Sequence, residues 1–281
     1  MIVRALILAF VLLVPTFAVA GTADQLEREH GTGQIRNGNR AWSGAELKIL
    51  DASLSVLDRK EKRALKDVDF VRMRWSMRPF GAGLYKVDGR GNRILIYDRA
   101  FSGAGKGSSK KPNRTIVHEV GHAIAHWKTR KELARANRLV DSANNAVRGY
   151  NNEIRRYNQQ VRRYNRTRNA ADKRSLDAIQ RKVESLGSGL ERKKRDALKA
   201  KRRVNAVARF SRPPFVRTGI LVDYRKILRG RLGPTPYGRR NLSESFAESF
   251  SLHHCEPKAL KKVLPKVQEW FQQNRHHGAM E

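Results

Sequence analysis

Thr115 to Ala123 reads TIVHEVGHA, with His118 and His122 four residues apart and Glu119 directly after the first. On a helix, residues at that spacing share one face a turn apart, so both imidazoles can reach a single cation. Glu119 stands beside that row. From there its carboxylate can hold a water at the cation, take its proton as general base and deliver it to a leaving amine. Such an H-E-x-x-H match arises by chance in roughly one protein in a hundred, and the plain alternative is two ordinary helix histidines with a surface glutamate. The apolar flanks, which bury one side of the helix, and a strand ahead of it favour the chemical reading.

Catalytic zinc keeps three protein ligands and leaves one position for water, so a further donor is expected downstream. Tyr237 to Phe250, YGRRNLSESFAESF, supplies candidates. Glu244 and Glu248 are four apart and share a face, while Leu242, Phe246 and Phe250 can point into the core. Two like charges on the inner side of a helix are costly unless something cationic offsets them, as a metal and a liganding histidine would. The expected set is therefore one Zn2+ per chain on His118, His122 and Glu244. Glu248 would accept the free ring N–H of a liganding histidine. Against this stands a solvated acidic face on a surface helix.

The pairing of HEVGHA with YGRRNLSESFAESF resembles the gluzincin metallopeptidases of the anthrax lethal factor type, in which a glutamate in an E-x-F-A-E-x-F helix completes the metal site. The resemblance implies a zincin-like fold, zinc on His118, His122 and Glu244, Glu119 as base and Glu248 in support. It also implies a tyrosine seven residues before the ligand glutamate, a place Tyr237 occupies, whose phenol could donate to the developing oxyanion. The close match covers about 23 residues, counted over the two motifs. Ser245 and Ser249 stand where the pattern is usually apolar, and a long segment separates the two motifs.

The elements that must position these residues form an expected α+β fold, a small mixed sheet with the active-site helix beneath it and a long inserted helical hairpin. Residues 1–20 read as a signal peptide, with Arg4, an apolar run from Ala5 to Val14, and Ala18-Val19-Ala20 for cleavage. The run falls short of a membrane span. Residues 21–41 read as a flexible leader. Residues 42–127 read as the first part of the catalytic domain. In it Ser43-Gly44-Ala45-Glu46 forms a capping box ahead of Leu47, Leu50, Leu54 and Leu57. Strands are expected around Val71, Met73 and Trp75, over Leu84 to Asp88 and over Arg93 to Tyr97. The last of these is taken as the edge that pairs with an extended substrate. Ser102 to Asn113 reads as a glycine-rich mobile connector.

Residues 128–210 differ in composition. Val140, Ala143, Val147, Tyr150, Ile154, Tyr157, Val161 and Tyr164 recur at steps of three and four. After a turn expected over Asn169 to Lys173, a second seam runs through Leu176, Ile179, Val183, Leu186 and Leu190, weakening into Ala197 and Val204. Two helices folded back as an antiparallel hairpin explain both, with Pro213 and Pro214 ending the excursion. Residues 211–281 are the expected second part of the catalytic domain and include one apolar helix from Pro257 to Phe271.

Lys and Arg total 59 against 26 Asp and Glu, a net charge of +33, and more than half of that excess falls between residues 128 and 212, where 26 basic residues face 8 acidic ones. Such a field attracts polyanions: an anionic envelope polymer, anionic lipid or nucleic acid. The opposing view is a solvated coiled coil whose arginines keep it soluble. Cys255 is the only cysteine, so no internal disulfide is possible, and it reads as a small buried apolar residue rather than a reactive thiol. The histidine pairs 253–254 and 276–277 read as exposed polar residues near helix ends. The chain is thus expected to be a secreted or periplasmic zinc metallopeptidase acting within peptide chains. The competing expectation is a basic, envelope-associated anion-binding protein with a vestigial or structural metal site.

Overall fold

Ser43 opens the first long helix, α2 (Gly44–Ser55): its side chain accepts from the Glu46 backbone at 3.3 Å while Glu46 accepts from the Ser43 N–H at 3.0 Å. This computed structural model describes residues 22–75, 81–88, 91–103, 105–205 and 219–279. The signal peptide and its cleavage point, the turn residues Gly89 and Arg90, the side chain of Val204, Phe210 and the Pro213-Pro214 stop lie outside the described residues. Across the described residues the chain is mostly helical with one small mixed sheet, an α+β arrangement.

The stretch expected as a leader is built into the fold. Thr22 caps α1 (Ala23–His30), Gly31 ends it at φ 63°, and β1 (Ile35–Asn37) joins the sheet. Only Leu26 and His30 of α1 face inward, and a buried histidine 2.8 Å from Asp51 of α2 leaves no apolar periodicity to see.

Three further strands, β2 (Val68–Arg72), β3 (Gly83–Asp88) and β4 (Gly91–Ile96), complete the sheet in the order β1-β2-β4-β3. β1, β2 and β4 run parallel, and β3 is antiparallel to β4. Two expectations are corrected here. The strand placed around Val71, Met73 and Trp75 starts at Val68, because Val68 and Phe70 enter the core while Trp75 is 64% exposed. β4 is flanked on both sides, so the edges are β1 and β3, and the edge that faces Glu119 is that of β3. Arg72 ties the sheet to α2: fully buried, it meets Glu46 at 2.7 Å and Asp98 at 2.6 Å, which a charge in the core requires.

The helix α4 (Arg114–Ala125) lies against the sheet and begins at Asn113, the last residue of the glycine-rich connector. Asn113 is fully buried. Its side-chain oxygen accepts from Ile116 N–H, its amide donates to the Ala100 and Lys106 carbonyls, and its own N–H donates to Ser53 of α2. One residue thus sets where the histidine helix starts, through its side chain, and ties that start to α2, through its backbone N–H, and the connector's end is pinned.

α5 (Arg130–Thr167) and α6 (Ala170–Asn205) fold back on each other along nearly their whole length, about 57 Å for α5 at 1.5 Å per residue. The reversal falls at Arg168, with φ 51°, and Asn169, ahead of the turn expected over residues 169–173. Asp172 is already helical and gathers the Thr167, Asn169 and Gln160 side chains. Ala143, Leu190 and Ala197 are buried in the seam, and its tyrosines are half-buried. At its root, the buried Arg130 binds Asp67 and the Ala64 and Ala123 carbonyls, and the Asn137 amide donates to Val87 of β3.

The remaining helices are α7 (Ile220–Leu228), α8 (Leu242–Cys255), α9 (Pro257–Val263) and α10 (Pro265–Gln272). The single helix expected from Pro257 to Phe271 is therefore two, since Pro265 cannot supply the N–H a continuous helix needs and instead starts α10. Leu242, Phe246 and Phe250 of α8 are fully buried, as their spacing anticipates. Ser245 and Ser249, also fully buried, both meet the Tyr224 hydroxyl, at 2.8 and 2.7 Å. The two polar residues in the apolar pattern are thus satisfied from α7. No helix among the described residues is long and apolar enough to cross a membrane.

Replacing Asn113 with alanine removes a helix cap and two further side-chain hydrogen bonds. The Asn113→Ala protein should be less stable by about 2 kcal/mol or more in urea unfolding followed by circular dichroism; an unshifted midpoint would contradict the anchoring role.

Candidate active site

α4 and α8 touch because Gly121 has no side chain. A Cβ there would stand 3.0 Å from the Ala247 Cα and 3.3 Å from the Phe250 Cβ. Each helix then turns its polar row toward the other. Glu244 sits in the first turn of α8, where the cap Asn241 accepts from its N–H at 2.9 Å. Its Oε2 lies 3.2 Å from His118 Nε2 and 3.1 Å from His122 Nε2. The ligand atoms of these three residues all lie within 4.8 Å of one another, so the three could hold a metal ion. Two donors on bonds of about 2.1 Å at a tetrahedral angle are roughly 3.4 Å apart, close to what is seen.

Glu248, one turn after Glu244, faces His118 from behind: its Oε1 is 3.0 Å from Nδ1. Its Oε2 accepts from Arg114 at 3.0 Å and from Thr235 at 2.8 Å. Burial alone would raise the Glu248 carboxyl, but His118, Thr235 and Arg114 outweigh it and hold it down at about 2. Burial likewise opposes charge on His118, yet Glu244 and Glu248 push its imidazolium up to about 10. Glu244 is held well below the usual carboxylate range by the two imidazoles, against its own desolvation. The pocket therefore favours positive charge between its carboxylates, which a divalent cation satisfies.

Glu119 reaches the sheet. Its Oε2 accepts from the Tyr85 N–H on the outer edge of β3 at 2.6 Å. Gly83 leaves the space, since a Cβ there would come within 2.6 Å of the Glu119 Cγ. Tyr237 is 43% exposed, with its ring centred 5.8 Å from that of His118 and the Arg240 guanidinium 4.5 Å above it. Burial first, then the charges of Glu244 and Glu119, raise the phenol above its ordinary value, so it remains a proton donor at neutral pH. The Tyr237 turn is tied to Glu248 through Thr235, whose hydroxyl also accepts from Gly238 N–H. It also needs Gly233, where a Cβ would strike the Gly238 carbonyl at 2.4 Å.

All six residues singled out from the motifs thus lie around α4 and the start of α8. Several neighbours were not. Ser243 lies 3.0 Å from His122 Nδ1 and 3.4 Å from His126 Nε2. Burial, then His122 and Arg130, push His126 down to about 3, so it is a neutral acceptor for the serine hydroxyl. Arg114, His118, His122 and His126 follow at steps of four, so this row was legible once α4 was placed; Thr235, Gly83 and Tyr85 carried no such signal.

Cys255 is partly buried, and burial pushes its thiol up to about 12, in keeping with an unreactive residue. His276 and His277, expected to be exposed, are only 1% and 8% exposed.

Comparison of the chain with protein-family models, with curated proteins and with solved structures finds no match.

Proposed function

We propose that this chain is an exported zinc-dependent metallopeptidase, an endopeptidase with a zincin-like catalytic domain similar to the lethal factor-type gluzincins, divided by the basic hairpin. The observation that carries the reading is the convergence of His118, His122 and Glu244 from helices more than a hundred residues apart onto one point, with Glu119 beside it. Export rests on the signal-like first 20 residues, which leaves a periplasm or the medium as the destination.

Zinc held by those three residues would supply Lewis acidity, polarising the scissile carbonyl and acidifying water. Glu119 takes the proton from the attacking water and returns it to the leaving nitrogen. The Tyr85 N–H would hold one of its carboxylate oxygens while the other takes the proton. Glu248 Oε1, 3.0 Å from His118 Nδ1, is placed to take that nitrogen's proton, which would leave the Nε2 lone pair for the metal; Ser243 would serve His122 Nδ1 in the same way. Tyr237 donates to the carbonyl oxygen as negative charge grows there. An extended substrate backbone would pair with the outer edge of β3 where that edge is left open by Glu119, on the Tyr85 N–H, and by Asn137, on the Val87 carbonyl. No group suited to gripping a chain terminus is evident among the described residues, which favours cleavage within chains.

Glu119→Gln should retain one zinc per chain and lose peptide hydrolysis by a factor on the order of 10³, whereas Glu244→Ala should lose both. Elemental analysis and a peptide-library digest with and without chelator read the two effects. Full activity in the Glu119→Gln protein would refute the mechanism. Gly83→Ala should push the Glu119 side chain from its place, lowering kcat at least tenfold with zinc content unchanged; equal kcat would show that the glycine is not what seats the base.

One observation favours a second reading, a basic anion-binding protein with a vestigial or structural metal site: 26 Lys and Arg face 8 Asp and Glu between residues 128 and 212. Binding to a polyanion through this arm should weaken steeply between about 50 and 200 mM salt. A salt-independent affinity would discard that role. The two readings are compatible, since the arm could tether an active enzyme to an anionic surface.

A further inference from the structure

A second group of histidines and carboxylates lies where the C-terminal turn, residues 275–279, meets α3 (Arg59–Arg63) and the end of α8. Asp58 caps α3 and Glu61 completes its capping box, and each carboxylate divides its two oxygens between two tasks. Asp58 Oδ1 accepts from the Lys60 and Glu61 N–H groups, and Glu61 Oε2 accepts from the Asp58 N–H. The capping bonds fix the orientation of both groups and leave Oδ2 and Oε1 turned toward the histidines. Glu61 Oε1 lies 2.8 Å from His276 Nε2 and 3.2 Å from His254 Nε2, and Asp58 Oδ2 lies 2.7 Å from His277 Nε2.

Ligand atoms of Asp58, Glu61, His276 and His277 all lie within 4.8 Å of one another. Glu61 and His276 are each 1% exposed, and the His276 ring is walled by Phe250, Trp270 and Phe271. His277, 8% exposed, brings Nε2 within 2.7 Å of Asp58 yet makes no hydrogen bond to it. This nitrogen is a buried polar atom left without a hydrogen-bond partner, which calls for a ligand.

We propose that Asp58, Glu61, His276 and His277 form a second, structural site for a divalent transition-metal ion. Two imidazoles and two carboxylates are a ligand set for zinc and its neighbours, and the two negative charges neutralise the dication in a site that is buried at Glu61 and His276 and open to solvent at the Asp58 side chain, which is 40% exposed. His254 donates to Glu61 Oε1 from the last turn of α8 and positions that ligand. Coordination opens the closest donor pairs by several tenths of an ångström, to the roughly 3 Å or more that bonds of about 2.1 Å require. The site closes the C-terminal turn onto α3 and α8 in a chain whose single cysteine permits no internal disulfide. It does not rest on the peptidase reading.

The test uses the exported chain carrying His118→Ala and His122→Ala, which disables the first site, so a failure here leaves the peptidase reading untouched. After zinc loading and gel filtration this protein should retain one zinc, and added zinc should raise its melting temperature by several degrees. Adding His276→Gln and His277→Gln should abolish both effects. A folded His118→Ala, His122→Ala chain with neither bound zinc nor a melting shift would show that the cluster is a hydrogen-bonded clasp only, and overturns the proposal. Should that background fail to fold, anomalous scattering at the zinc edge from crystals of the wild-type chain grown with zinc answers the same question. A peak among the four side chains supports the site, and its absence overturns it.

Discussion

Glu244 Oε2 stands between two imidazole nitrogens, and it can do so only while α8 lies hard against α4. The contact is backbone-close at Gly121, where a single methyl group would meet Ala247 at 3.0 Å. Phe246 and Phe250 bury the opposite face of α8 and hold it there from behind. The candidate chemistry therefore depends on a packing distance set by a residue with no chemistry of its own. The glycine within HEVGHA serves the crossing of two helices rather than the flexibility of one.

That crossing brings negative charge together. Glu244 and Glu248 share one face of α8, and Glu119 adds a third carboxylate nearby. Carboxylates gathered in a partly desolvated cleft stay ionised only with positive charge or strong donors in contact. Arg114 and Thr235 serve Glu248, the Tyr85 N–H serves Glu119, and the two imidazoles serve Glu244. The positive partners are held from α4, the helix that also carries both histidines.

The hairpin enters the fold through a buried guanidinium. Arg130 joins the first turn of α5 to the end of α4 and to residues 64–67, so the arm leaves the sheet and α4 from a fixed root beside β3. The seam that holds α5 to α6 is sparingly buried and bridged by polar contacts such as Glu153 with Lys182. Its basic surface is thus carried by side chains that need not be buried for the arm to hold.

The local patterns were legible along the chain because each repeats at the period of the element it forms. The capping box at Ser43, the histidine pair on α4, the acidic and aromatic rows of α8 and both seams of the hairpin stand where the spacing put them. What the sequence could not decide is everything that requires two distant segments to meet. Leu26 and His30 make too short a stripe to announce α1, strand order cannot be read from strand composition, and only the packed sheet leaves β3 outermost. Tyr224 meets two serines twenty-odd residues away, and His276 meets Glu61 across most of the chain. Periodicity reports which face of an element is apolar. Which other element that face meets, and which polar side chains are buried together as a result, is set by packing and by the need to satisfy every polar group it encloses.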